Sequence, residues 1–228
     1  MASRSTLPRA RKESAHVRLS ADKRREQLLQ VAVDLFARKG FKGTTTREIA
    51  AAAGVTEAII FRHFATKEQL YTAIIDRRLN SPDFPAWASS LRAAMDRNDD
   101  EAVIRQVIGA IISTHKTDPQ FERIMIYAAL EGNESAVRHM RQLTASIVDL
   151  YRQYVSRRQK NGYLRACLPD AALTAIVGMA QHYALNKYVH EFKEQCMSDE
   201  QALETFTRIA MNGLSTTPPQ SKAKSKKK

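Results

Sequence analysis

The sequence predicts an all-α protein. Apolar side chains recur at three- and four-residue spacing along most of the chain, only 8 Gly and 7 Pro interrupt 228 residues, and no segment alternates as a half-buried strand would. Pro8, Pro218 and Pro219 stand near the ends, and Pro82 and Pro85 share one short loop, which leaves long stretches free to be helical. A hydrophobic content of 43% is ordinary for a globular chain. The length suits one small module plus one larger core.

Taken in order, the elements read as follows. Residues 1–19 are rich in Arg, Lys, Ser and Ala and lack apolar periodicity, so a disordered basic arm is expected. Ser20 is an N-cap with Asp22 in the first turn, Leu28, Ala32, Leu35 and Phe36 form a stripe, and Gly40 stops the helix. Thr45 and Glu48 form a capping box for a short helix through Ile49, Ala50 and Ala53 that ends at Gly54. Thr56 caps the next helix, which turns Ile60 and Phe64 inward. Thr66 and Gln69 form a second capping box, opening a helix through Leu70, Ile74 and Ile75 to about Leu79. Residues 80–85 are a break. Helices then follow over about 85–97, from the Asp99/Asp100 cap to Lys116, over 119–131, through Val137, Met140, Thr144, Ile147, Tyr151 and Tyr154 to Asn161-Gly162, from Pro169-Asp170 to about Phe192, and from Ser198 through Leu203, Phe206 and Ala210. Residues 215–228 are a disordered Lys-rich tail.

The net charge of +12 is unevenly spread. Residues 1–67 carry 14 Lys/Arg against 6 Asp/Glu, residues 215–228 carry 5 Lys and no acid, and the long middle is close to neutral. A polyanion partner for the first module follows, since Lys and Arg release counterions from a phosphate backbone; a face charged for solubility is the plain alternative. No run approaches the roughly 18–20 apolar residues of a membrane span, and the N-terminus lacks an apolar signal region. A cytoplasmic protein with no membrane partner is expected. Cys167 and Cys196 share no motif with His or another Cys and read as reduced, structural residues.

Three short capped helices, with Gly54 at the turn between the second and third, meet the requirements of a helix-turn-helix. The string GFKGTTTREIAAAAGVTEAIIFRHFATKEQLYTAII resembles the N-terminal domain of the TetR family of repressors. The matching elements are Gly40-Phe41, Thr44-Thr45, Ile49-Ala50, Ala53-Gly54-Val55, Phe61-x-His63-Phe64 and Lys67-Glu68-x-Leu70. The resemblance implies a three-helix DNA-binding domain over 20–66 and a larger helical bundle over 67–214 used for ligand binding and dimerisation. It also implies a homodimer that binds a double-stranded, palindromic DNA operator, paired through the helices at 170–192 and 199–213. A small, moderately apolar effector would release the DNA.

Carried over by position, the resemblance implies that Thr45 and Arg47 hold backbone phosphates and that Glu57, Ala58 and Ile59 face base edges. Thr56 then caps beside the backbone, and Phe61, His63 and Lys67 lie where phosphate is met. Phe61 stands where the family commonly has Tyr and cannot donate to phosphate. Glu57 repels phosphate but is able to accept from a cytosine amino group, and Ile59 is suited only to a thymine methyl or to packing. An unusual operator preference is expected. The arm at 1–19 and the Lys-rich tail are each candidates for added phosphate affinity.

Candidate pocket residues are Trp87, Ile111, His115, Met125, Tyr127, Met140, Met179, His182 and Tyr183, with a packed core of satisfied histidines as the plain alternative for each. Two other classes compete with the regulator reading. An enzyme is disfavoured because no HExxH, paired ExxH, CxxC or phosphate-cradling Gly loop occurs, so neither cofactor nor metal is expected. A ligand-independent DNA-binding or architectural protein is favoured by the basic ends, and extended unphased protection of DNA would distinguish it.

Overall fold

The structure is a computed structural model that describes residues 19–192 and 197–216. The basic arm up to Arg18, the tail beyond Thr216 and Cys196 lie outside the described residues. Among the described residues ten α-helices follow one another: α1 (Ala21–Lys39), α2 (Thr46–Ala53), α3 (Glu57–His63), α4 (Lys67–Leu79), α5 (Asp83–Asp96), α6 (Asp100–Thr117), α7 (Pro119–Leu130), α8 (Glu134–Lys160), α9 (Pro169–Ala184) and α10 (Asp199–Leu214). A π-helical turn over Leu185–Val189 prolongs α9. The only β pairing among these residues is an isolated bridge between Leu164 and Ser215.

Local chemistry sets most of the boundaries. Ser20, Asp99 and Ser198 accept from backbone N–H groups three residues on, and Ser198 with Gln201 completes a capping box. The Thr45–Glu48 capping box forms as its spacing predicts. Thr56 occupies the N-cap position of α3, but its side chain makes no capping bond. Thr66 accepts from the Gln69 N–H at 3.1 Å, whereas Gln69 Oε1 reaches past it to the Ala65 N–H at 2.9 Å, so only half of the Thr66–Gln69 box closes. The break after α4 is shorter than 80–85. Helix α5 begins at Asp83 because Pro85 falls in its first turn, where a missing N–H leaves no bond unmade.

Two further boundaries differ from expectation. Regular α geometry in α9 ends at Ala184 rather than Phe192; the helix widens where Lys187 and Tyr188 both bond Asp199 at the start of α10. Ser215 and Thr216, expected in the tail, are pinned to the loop after α8: the Arg165 N–H donates to Leu214 O and the Thr216 N–H to Tyr163 O.

Packing divides the chain into two cores that do not follow sequence order. The first gathers Leu28, Ala32 and Phe36 of α1, Ile49 of α2, Ile60 of α3 and Leu70 of α4, and it is completed by Phe121, Ile124 and Ala128 of α7. The second joins Leu91 of α5, Ile104 and Ile108 of α6, Tyr151 and Val155 of α8, Ile176 and Ala180 of α9, and Ala202 of α10. Helix α7 therefore closes the N-terminal core from about 60 positions beyond its last helix-turn-helix residue. Each of its fully buried Phe and Ile side chains contributes roughly 1.5–3 kcal/mol.

Candidate nucleic-acid interface

The interface is built outward from the first core. Helices α2 and α3 bury Ile49, Ala50, Ala53 and Ile60, and Phe64 closes the end of α3. Alanines on the buried side of α2 let α3 cross closely, and Gln27 Nε2 ties α1 to the end of α2 through Ala53 O at 3.2 Å. The turn between α2 and α3 needs Gly54, whose φ of 66° and ψ of 35° lie in the left-handed region. A Cβ there would meet no atom within 4 Å, so backbone conformation alone demands the glycine.

What remains outward is Thr45, Arg47, Ala51 and Ala52 from α2 and its cap, with Thr56, Ala58, Phe61 and Arg62 from α3. Phe61 is 48% exposed, an aromatic ring facing solvent. Glu57, Ile59 and His63 are half-buried. Arg47 and Arg62 put two cations on this surface. Arg62 is absent from the expected set, although its place one residue after Phe61 was legible in the sequence.

Several expected residues are already committed within the fold. The Thr45 hydroxyl accepts from the Glu48 N–H at 3.2 Å and donates to Glu48 Oε2 at 3.1 Å. Glu48 also takes Lys39 Nζ at 2.6 Å, and that bond, with those from Thr45, holds its carboxyl down at about 2. Lys67 Nζ donates to Phe41 O and Thr44 O, both at 2.9 Å, and lies 4.1 Å over the Phe41 ring. This ammonium ties the 40–44 loop to α4; in the structure it points into the loop. Thr46 Oγ1 donates to Glu57 Oε2 at 2.6 Å, joining the first turns of α2 and α3.

The scaffold is also held from far along the chain. Phe36, Phe41 and Tyr71 pack edge-to-face or stacked at centroid distances of 5.1–5.9 Å, and the Tyr71 hydroxyl donates to Ile124 O at 3.3 Å. Glu131, at the end of α7, accepts from the Phe41 and Lys42 N–H groups, each at 3.0 Å, while Lys42 Nζ donates to Glu131 O. The Tyr127 hydroxyl donates to Arg38 O, and Gln120 Nε2 to Asp34 Oδ1. No local sequence signal marks Glu131, because its partners lie about ninety residues away.

The nine expected pocket residues do not surround one cavity. Met125 and Met140 pack against the first core, and Tyr127 caps α1. Trp87, Ile111, Met179 and Tyr183 belong to the second core, and His182 is exposed beside Asn186. Side chains on opposite sides of α6–α7 pack into separate interiors, so an apolar stripe on each helix does not add up to a shared chamber. His115 is buried, with Nδ1 2.8 Å from Ile111 O and Nε2 3.6 Å from Glu122 Oε2. Burial raises the Glu122 carboxyl, against the attraction of His115 and Arg78. A cleft of about 630 Å³ opens elsewhere, where Phe41, Lys42, Glu68 and Tyr71 face Glu131 and Arg138.

Residues 28–74 match the family described as bacterial regulatory proteins, tetR family. The HTH-type transcriptional regulator RutR of Escherichia coli is 26% identical over 196 residues, covering 84% of this chain and 90% of the relative. The HTH-type transcriptional repressor NicS of Pseudomonas putida is 25% identical over 205 residues, covering 85% and 93%. The fold is shared with AibR, solved with isovaleryl coenzyme A and operator DNA, at a TM-score of 0.57 and 21% identity over 82% of this chain and 97% of that one. Residues 28–74 thus form a tetR-family DNA-binding domain, and over most of its length the chain is similar to HTH-type transcriptional regulators.

Proposed function

We propose that the protein is a cytoplasmic homodimeric repressor that leaves a palindromic operator when a small molecule binds its helical core. The observation that carries this reading is the coupling of the DNA-reading module to the rest of the chain. Helix α7 fills the first core, and Glu131 grips the loop that Lys67 holds from the other side. A ligand that shifts α7 therefore shifts the scaffold of α2 and α3. Its effect on DNA affinity is limited by its differential affinity for the two arrangements, typically about 5–150-fold.

A second copy pairs through the outward faces of α9 and α10. Ala171, Thr174, Ala175 and Gly178 are exposed on α9, and Ile209 and Gly213 on α10, small or apolar side chains that admit close helix approach. Pairing places two α3 helices on one duplex, and half-sites about 34–36 Å apart give the contacts one copy lacks. On each copy Arg47 and Arg62 meet phosphates, while Ala58, Ile59 and Glu57 face bases and Phe61 and His63 lie along the backbone. NicS is named a repressor, which supports repression, and AibR was solved with isovaleryl coenzyme A and operator DNA, which supports a small-molecule effector alongside DNA binding.

Selection from a random duplex library on the purified protein, followed by competition with small organic acids and acyl thioesters, tests the proposal. A palindrome bound by two chains and released by one compound class is the expected result. Extended, unphased protection by a single chain per site would replace the repressor with an architectural role.

A further inference from the structure

Glu57 is an anomaly on a DNA-reading surface. It places a carboxylate in the first turn of α3, inside a module whose charge otherwise favours phosphate. A free glutamate there would rotate about three bonds and repel the DNA backbone. Here one of its oxygens is taken: Thr46 Oγ1 donates to Oε2 at 2.6 Å, and both residues are half-buried between the starts of α2 and α3. Oε1 takes no hydrogen bond from the described residues.

Resting on the operator-binding reading, we propose that Thr46 and Glu57 form one base-reading unit, in which the Thr46 hydroxyl holds the carboxylate so that Oε1 accepts from the amino group of a cytosine in the major groove. A carboxylate only accepts hydrogen bonds. Major-groove edges offer it two donors, the cytosine N4 and adenine N6 amino groups, and adenine sets an acceptor, N7, beside its donor. Cytosine presents the amino group without that neighbouring lone pair and is the base selected. Thr46 is a positioning residue: its own proton is spent on Glu57, and the fixed carboxylate loses less side-chain freedom on binding DNA.

The test is library selection with the full-length wild type, E57Q, T46V and T46S, with a thermal melt of each. The wild type should enrich cytosine at one position in each half-site by roughly tenfold or more. E57Q should lose that enrichment and leave other positions unchanged. T46V should weaken it several-fold at the same position, and T46S, which keeps the hydroxyl, should restore it. T46A answers the same question should T46V not fold. If T46V melts lower yet selects the same bases, the bond is a tie between helices and the pairing is overturned. If E57Q keeps the cytosine, the reading role of Glu57 falls as well. A wild type that enriches no sequence overturns the operator reading itself, which separates that failure from the failure of the pairing.

Discussion

Replacing Lys67 with methionine separates two roles that one cation could play. Position in the motif puts Lys67 at the start of α4, where a phosphate contact is expected, but the structure gives its ammonium two carbonyl partners and an aromatic face. Methionine keeps the stem and removes the charge. Each charge-assisted bond contributes about 1.5–3 kcal/mol when well shielded, and the ring contact about 0.5–1 kcal/mol. Lys67 is half-buried and water replaces part of the loss, so Lys67→Met should destabilise the fold by about 2–4 kcal/mol. For a chain of this size that lowers Tm by roughly 5–12 °C at fixed protein concentration. The second reading is the salt dependence of operator binding at a temperature where the variant remains folded. A lost phosphate contact reduces the slope of log K against log salt by about 0.9. The structural role predicts an unchanged slope and a lower Tm. An unchanged Tm with a reduced slope would refute it.

Other perturbations follow from the same scaffold. Gly54→Ala should cost about 1–2 kcal/mol in urea denaturation, because the left-handed turn is strained for any Cβ although the space is open. Gly40→Ala should cost more: its φ of 72° and ψ of 177° suit glycine alone, and a Cβ would lie 2.3 Å from Glu131 Oε1 and 2.8 Å from Tyr127 Cδ1. Glu131→Ala should leave the Phe41 and Lys42 N–H groups to water and weaken effector response more than operator affinity, read as the ratio of DNA affinity with and without ligand. Acid titration should show Glu48 directly. Its carboxyl lies near 2 in the folded chain against 4.5 ordinarily, so its stabilisation is complete above about pH 4.5 and is lost as pH falls toward 2. Lys39→Ala, which removes the largest cause, should flatten that part of the stability profile.

The helices, most of their caps and the helix-turn-helix were legible in the sequence, because those features are local. Ser20, Thr45, Asp99 and Ser198 each satisfy a backbone donor within three residues, and Gly40 and Gly54 mark turns that their own backbone angles require. Errors at Thr56 and Gln69 arose where side chains within reach of one cap took another partner or none. Three adjacent threonines show the limit of local reading: Thr44 is buried against Gly40 O, Thr45 caps α2, and Thr46 holds Glu57. Their chemistry is identical, and only the packing of α1, α2 and α3 assigns each its task.

By itself, then, the sequence determined an all-helical chain with a DNA-reading module near its start and its basic excess toward the two ends. Tertiary structure decided what that module is attached to. Helix α7 completes its core, Glu131 and Lys67 grip the same loop from two directions, and the expected pocket residues divide between two interiors. Periodicity records which face of a helix is apolar. It carries no information about which distant helix covers that face, because burial stabilises any well-fitting apolar partner and the choice is made by the packing of the whole chain.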